Sequence, residues 1–201
     1  MSTARGPADG PTPGSSADAV PDADPRDVAR EICLAQLASS PKSRAQLATV
    51  LRRRGTDPAV AAEVLDRLED VRLLDDAAFA ETVVHSRRAA GMSRRALGAD
   101  LRAKGVSGEV VTETLDRLDP DAELASARAL VARRLLATRA LPVDVRVRRL
   151  VGMLARKGFP GGMSLRVVRE ALAGEAELDA LERALLDDLD VDLSDAARLG
   201  E

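Results

Sequence analysis

Side chains able to do covalent or metal chemistry are scarce in this chain, and none is spaced for it. His85 is the only histidine and Cys33 the only cysteine, so no set of cysteines and histidines at zinc-ligand spacing exists, and no acid–base pair stands out. The adjacent carboxylates Asp75 and Asp76 precede an apolar helical pattern, where helix capping and the positive helix end account for them without a metal. Gly161-Gly162 lacks the Lys-Ser or Lys-Thr sequel and the preceding strand of a phosphate loop, and reads as a turn. Cys33 lies in an apolar stripe and reads as a small buried hydrophobe; alone, it also excludes an intrachain disulfide and fits a reducing compartment. No catalytic residue, metal site or cofactor is expected.

The remaining chemistry is that of fixed positive charge. On a helical wheel Arg95 and Arg102 fall together, roughly opposite Leu97 and Leu101, and so face outward. Arg88 lies opposite Phe79 on the preceding helix, and a turn at Gly91 brings Arg87 and Arg88 towards Arg94 and Arg95. Arg44, Arg52 and Arg53 form a comparable set earlier in the chain, and Arg146, Arg148, Arg149 and Arg156 a later one. Arg54, Lys104 and Lys157 each precede a helix-ending glycine, where a cation also interacts with the last carbonyls, worth ~0.3–1 kcal/mol. Guanidinium and ammonium groups in such patches are suited to phosphate oxygens or to an acidic protein surface.

The elements that position these groups are helices. Only two aromatic residues, Phe79 and Phe159, occur among 201; the apolar content is mainly Leu, Val and Ala, and an all-α fold follows. The formal net charge of -3 conceals a segregation. Residues 1–25 carry net -3 and residues 174–201 net -8, whereas residues 26–173 carry net +8. The first 25 residues, rich in Pro, Gly, Ser and Asp, are expected to be a disordered tail. No stretch approaches the ~18 apolar residues of a membrane span, and the start lacks the apolar run of a secretory signal. A cytoplasmic monomer is expected.

The central segment repeats itself with a period of fifty residues. Ser43-Arg44, Leu47, Leu51, Arg52, Gly55, Val60, Glu63 and Leu65-Asp66-Arg67-Leu68 recur, without a gap, as Ser93-Arg94, Leu97, Leu101, Arg102, Gly105, Val110, Glu113 and Leu115-Asp116-Arg117-Leu118. A weaker third copy has Leu150, Leu154, Lys157 and Gly158 in place of Leu97, Leu101, Lys104 and Gly105. Three three-helix units are predicted, over about 26–72, 73–119 and 120–173. Caps are expected at Asp24, Asp57, Asp75, Ser93, Ser107 and Asp119, and stops at Gly91 and Gly105. Units this small must stack to bury their faces, so an elongated, curved array is expected. Residues 174–201 should form an acidic tail or a separate amphipathic helix, with Leu178, Leu181, Leu185, Leu186 and Leu189 at helical spacing. Lying across the basic middle, that segment would compete with phosphates; the alternative is a helix packed on the third unit through those leucines, or a solubilising tail.

The run Leu73-Leu74-Asp75-Asp76, Phe79-Ala80, Ser86-Arg87, Gly91, Leu97, Leu101 and Lys104-Gly105 resembles the signature of the RecX regulatory proteins. Arg156-Lys157-Gly158-Phe159, followed by a short amphipathic helix, is similar to that family's C-terminal repeat. The likeness covers about residues 28–173. It implies three tandem three-helix repeats and a non-enzymatic regulator that binds the RecA–DNA filament in its groove. Modulation of RecA's recombinase, ATPase and coprotease activities is implied with it. On that reading the basic residues above, Lys104 and Lys157 among them but not Arg54, would meet RecA or single- or double-stranded DNA through phosphate contacts. The alternative is an autonomous DNA-binding protein using helix-turn-helix-like pairs. It is disfavoured because no helix carries the Asn, Gln and Arg mixture that reads base edges.

Overall fold

The computed structural model describes residues 24–199, and the side chains of all of these except Pro120 and residues 184–199. The expected N-terminal tail lies outside the described residues. Nine α-helices and one 3₁₀ turn make up the described fold, with no strand: α1 (Pro25–Ser39), α2 (Arg44–Arg53), α3 (Pro58–Asp70), α4 (Asp76–Ala89), α5 (Arg94–Ala103), α6 (Gly108–Asp116), α7 (Pro120–Leu135), the 3₁₀ turn Leu136–Thr138, α8 (Val143–Arg156) and α9 (Gly161–Leu199).

Local chemistry explains where the helices start. Asp24, Asp57 and Asp119 each precede a proline and accept a backbone N–H from the first turn, using both the cap and the pre-set φ of proline. Asp75, Ser93 and Ser107 cap α4, α5 and α6 in the same manner. Ser43 and Gln46 close a full capping box on α2. Helix α3 stops by a route that its residue types conceal, since Arg72 takes a left-handed φ of 57° where a glycine would be the easier choice.

Helices α1–α3, α4–α6 and α7–α9 each enclose their own core. Cys33, Leu47, Leu51 and Leu65 centre the first, Ala80, Leu97, Leu101 and Val111 the second, and Val131, Leu154, Phe159 and Val168 the third. The fold is thus a tandem array of three-helix units, as the repeat predicts.

The units are joined by one arrangement used twice. The Lys104-Gly105 turn that ends α5 seats on the start of α2: Ser43 Oγ donates to the Lys104 carbonyl at 2.5 Å, and the Arg44 N–H donates to Asp76 Oδ1 at 2.8 Å. The Lys157-Gly158 turn that ends α8 seats likewise on the start of α5. There the Ser93 N–H donates to the Lys157 carbonyl at 3.0 Å and the Arg94 N–H to Glu123 Oε1 at 3.0 Å. Both glycines need their residue type twice over. Their φ values are +78° and +89°, and an added Cβ would overlap Ala45 at the first joint and lie 2.6 Å from Ala96 Cβ and Ser93 Oγ at the second. Asp76 therefore does more than favour a helix end: it fastens two units together.

The third unit departs from the expected plan. Its last helix is neither short nor followed by a separate acidic element, because α9 runs for 39 residues without interruption from Gly161 to Leu199. Gly174 sits in mid-helix with open space where a Cβ would stand, so the backbone has no break at the start of the acidic segment. Leu178 and Leu181 are exposed; the side chains of Leu185, Leu186 and Leu189 lie outside those described.

Candidate functional site

The cations divide into those used within the fold and those left to solvent. Arg44 pairs with Asp66 at 2.6 Å and with Glu69 at 2.7 Å, and fifty residues on Arg94 pairs with Asp116 at 2.5 Å. The repeated arginine is thus a staple from the second helix to the third in each of the first two units. Lys104 pairs with Asp100, which Arg87 also approaches at 3.5 Å. Arg146 differs most from its expected role. Only 7% exposed, it pairs with Glu175 of α9 and donates to the Thr138 hydroxyl and the Leu135 carbonyl, both at 3.4 Å. It holds α8 to α9 and presents no charge to a partner. Its place four residues before Leu150 and eight before Leu154, on the apolar stripe of α8, is the sequence signal of burial.

The densest group of solvent-facing cations lines one groove where the second and third units meet. The C-terminal half of α7, one face of α8 and the end of α4 enclose an open volume of about 790 Å³. Its lining includes Arg133, Arg134, Arg148, Arg149, Arg156 and Lys157 and no acidic residue. An adjoining recess adds Arg88, across Ala89, Ala90 and Arg133, which line both. Arg148 pairs with Asp144 at 2.5 Å, but both side chains are about three-quarters exposed, so water and salt leave little of that pair's energy. Lys157 spans the joint by donating to the Ala90 carbonyl at 2.6 Å. Arg88, Arg133, Arg134, Arg149 and Arg156 have no ion-pair partner among the described residues. A low-dielectric wall lined by one sign of charge focuses its field on an anion in the groove.

Five of these groove residues, Arg88, Arg148, Arg149, Arg156 and Lys157, were expected from the sequence; Arg133 and Arg134 were not. They occupy the last turn of α7, where the helix dipole alone accounts for cations, and only the approach of α8 makes them part of a cluster. Arg95 and Arg102 are exposed, as the wheel predicts. Arg95 Nε, however, reaches the third unit and donates to the Gly158 carbonyl at 3.2 Å. Arg88 and Arg94 both line a second cleft, but Glu81, Asp119 and Glu123 share it. In the first unit Arg44 and Arg52 line a smaller cleft between α2 and α3, while Arg53 and Arg54 stand exposed at the end of α2. The cations therefore gather most strongly at one joint instead of recurring equally in every unit.

Among the described residues there is no cluster of three potential metal ligands and no helix long and apolar enough to cross a membrane. Cys33 is fully buried, and burial pushes its thiol pKa up, away from the reactive thiolate. Phe79 and Phe159 are buried too, leaving no aromatic platform for bases. Fold and site together define a tandem array of three-helix units with a basic groove at an inter-unit joint.

Known proteins agree with that class and make it specific. Models of the first and second three-helix domains of RecX match residues 29–68 and 75–115. The chain is 50% identical over 171 residues to the regulatory protein RecX of Thermobifida fusca (strain YX), covering 83% of this chain and 89% of that protein. It is 49% identical over 158 residues to the regulatory protein RecX of Streptomyces coelicolor (strain A3(2)), covering 78% and 84%. The crystal structure of RecX from Lactobacillus salivarius shares the fold, with a TM-score of 0.65 at 17% identity, over 74% of this chain and 97% of that one. The chain belongs to the RecX family.

Proposed function

We propose that this protein binds the RecA–DNA filament and restrains RecA, with the groove at the joint of the second and third units lying against the phosphodiester backbone. The observation that carries this reading is the lining of that groove: six cations and no acid, on α7, α8 and the turn that ends α8, with the end of α4 held against them by the joint. Exposed guanidinium groups make charge-assisted, bidentate contacts to phosphate oxygens, and contacts of this kind position a protein on nucleic acid without reading its sequence. Phe79 and Phe159 are both in the core and so offer no stacking surface to bases.

Inhibition then needs no covalent step. Occupying a filament groove excludes DNA strands and repressor substrates, and preferential affinity for one filament state shifts RecA towards that state. The name of the relatives, regulatory protein, agrees with such a role. Co-sedimentation with RecA filaments on single-stranded DNA, and with bare DNA, tests it over a range of salt. The expected result is filament binding that weakens steeply with salt and exceeds binding to bare DNA. Binding to DNA alone, with no preference for the filament, would replace this reading with that of an autonomous DNA-binding protein.

A further inference from the structure

The joint that links successive units has three equivalent turns and only two occupied seats. The Lys104-Gly105 and Lys157-Gly158 turns rest on Ser43 and Ser93, at the starts of α2 and α5. The matching turn of the first unit, Arg54-Gly55, has the same left-handed glycine, φ +77°, with nothing within 4 Å of where a Cβ would stand. Arg52, Arg53, Arg54 and Gly55 are all exposed. The carbonyls that take a serine hydroxyl or N–H at the other two joints here have no such donor among the described residues.

We propose that the Arg53–Thr56 turn is a docking plug for a second protein, which supplies the start of a helix capped by Ser or Thr with a small residue two or three positions later. The chain's own joints specify that chemistry. Ser43 is followed by Ala45, the side chain Gly105 packs against, and Ser93 by Ala96, against which Gly158 packs. Lys157 reaches beyond its seat to the Ala90 carbonyl; Arg54, at the equivalent position, has the length and charge to reach a carbonyl or carboxylate of the partner. Three adjacent exposed arginines favour an acidic surround.

A second copy of the chain does not fit the seat. Ser43 and Ser93 are 0% and 1% exposed inside their own joints. In the third unit the repeat places Arg146 at the serine position, where it is buried on Glu175, and α8 starts instead at Pro142 without a side-chain cap. The array is closed at its third unit and open at its first, so the occupant is a different protein.

The choice of that protein as RecA in its filament rests on the proposed function. The test measures affinity of the full chain for RecA filaments on single-stranded DNA, for the wild type, Gly55→Asn and Arg54→Glu. Asn tolerates the left-handed conformation and here meets open space, so melting should stay within a few degrees while the added side chain obstructs the seat. At least a fivefold loss of filament affinity in both variants, with binding to bare DNA unchanged, is expected. Wild-type affinity in both variants overturns the plug alone. Failure of the wild type itself to bind filaments overturns the proposed function, and with it the partner named here.

Discussion

Ending the chain after Ala173 removes Glu175 and Asp179 and leaves Arg146 buried without its carboxylate. The Arg146 side chain is 9% exposed and that of Glu175 12%, so the pair lies outside the regime of surface salt bridges. Removing one member of such a pair costs about 3–5 kcal/mol, most of it the penalty for an uncompensated buried charge. The bonds Arg146 keeps, to Thr138 and Leu135, are long at 3.4 Å, so they recover little. Asp179 adds a pair with Arg139, whose pKa it raises through a hydrogen bond and its charge; with side chains 52% and 35% exposed, the pair is well solvated and contributes little to stability. At roughly 2–4 °C per kcal/mol for a chain of this size, the truncated protein should melt about 6–20 °C lower. The Glu175→Gln variant should show much of the same loss. Thermal unfolding followed by circular dichroism measures this directly. The autoinhibitory expectation, in which residues 174–201 cover the basic middle, demands the opposite: unchanged melting, tighter DNA binding at low salt and a steeper salt dependence. Neither Arg139 nor Arg146 lines the basic groove, so truncation should leave the salt slope as it is. A melting shift below about 2 °C would refute the reasoning.

Gly105→Ala and Gly158→Ala should each destabilise by at least about 1–3 kcal/mol, since each combines a left-handed φ with overlap at a joint. Gly174→Ala, in open space within α9, should stabilise by about 0.5–1 kcal/mol; denaturant titrations separate the signs. Cys33 should resist alkylation at pH 8 in the folded protein and react on unfolding. Because burial raises its folded pKa above the ordinary thiol value of 9.0, the stability it contributes is present below that value and is lost as pH rises through the folded pKa. Unfolding titrations between pH 8 and pH 10.5 should follow that loss; alkylation at equal rates in folded and unfolded protein would contradict the burial.

What could be read from the sequence was local. Asp24-Pro25, Asp57-Pro58, Asp119-Pro120, Asp75, Ser93 and Ser107 act within one turn of the chain, so residue type alone locates six helix starts. The fifty-residue period shows the three units because each needs the same apolar stripe. What could not be read depends on partners far along the chain. Asp76 resembles a helix-end charge until it is seen accepting the Arg44 N–H, 32 residues away. Arg133 and Arg134 become a site only once α8 packs beside α7. Arg146 shows the opposite case, because treating every arginine as surface charge overlooked its position on the stripe of Leu150 and Leu154. The acidic segment was set apart by composition, which carries no information about whether a helix continues through it.

The central claim, that the groove between the second and third units meets phosphates of the filament, is tested most directly by replacing Arg133, Arg134, Arg149 and Arg156 together with Ala. Binding to RecA filaments on single-stranded DNA is then measured against salt. These side chains are exposed, and exposed charges generally change stability by no more than about 0.5 kcal/mol each, so the variant should melt close to the wild type. At about 0.7 counterions released per phosphate contact on a single strand, the slope of log affinity against log salt should become shallower by roughly 3, with weaker binding at physiological salt. A variant that binds as tightly as the wild type, with the same slope, would contradict the claim.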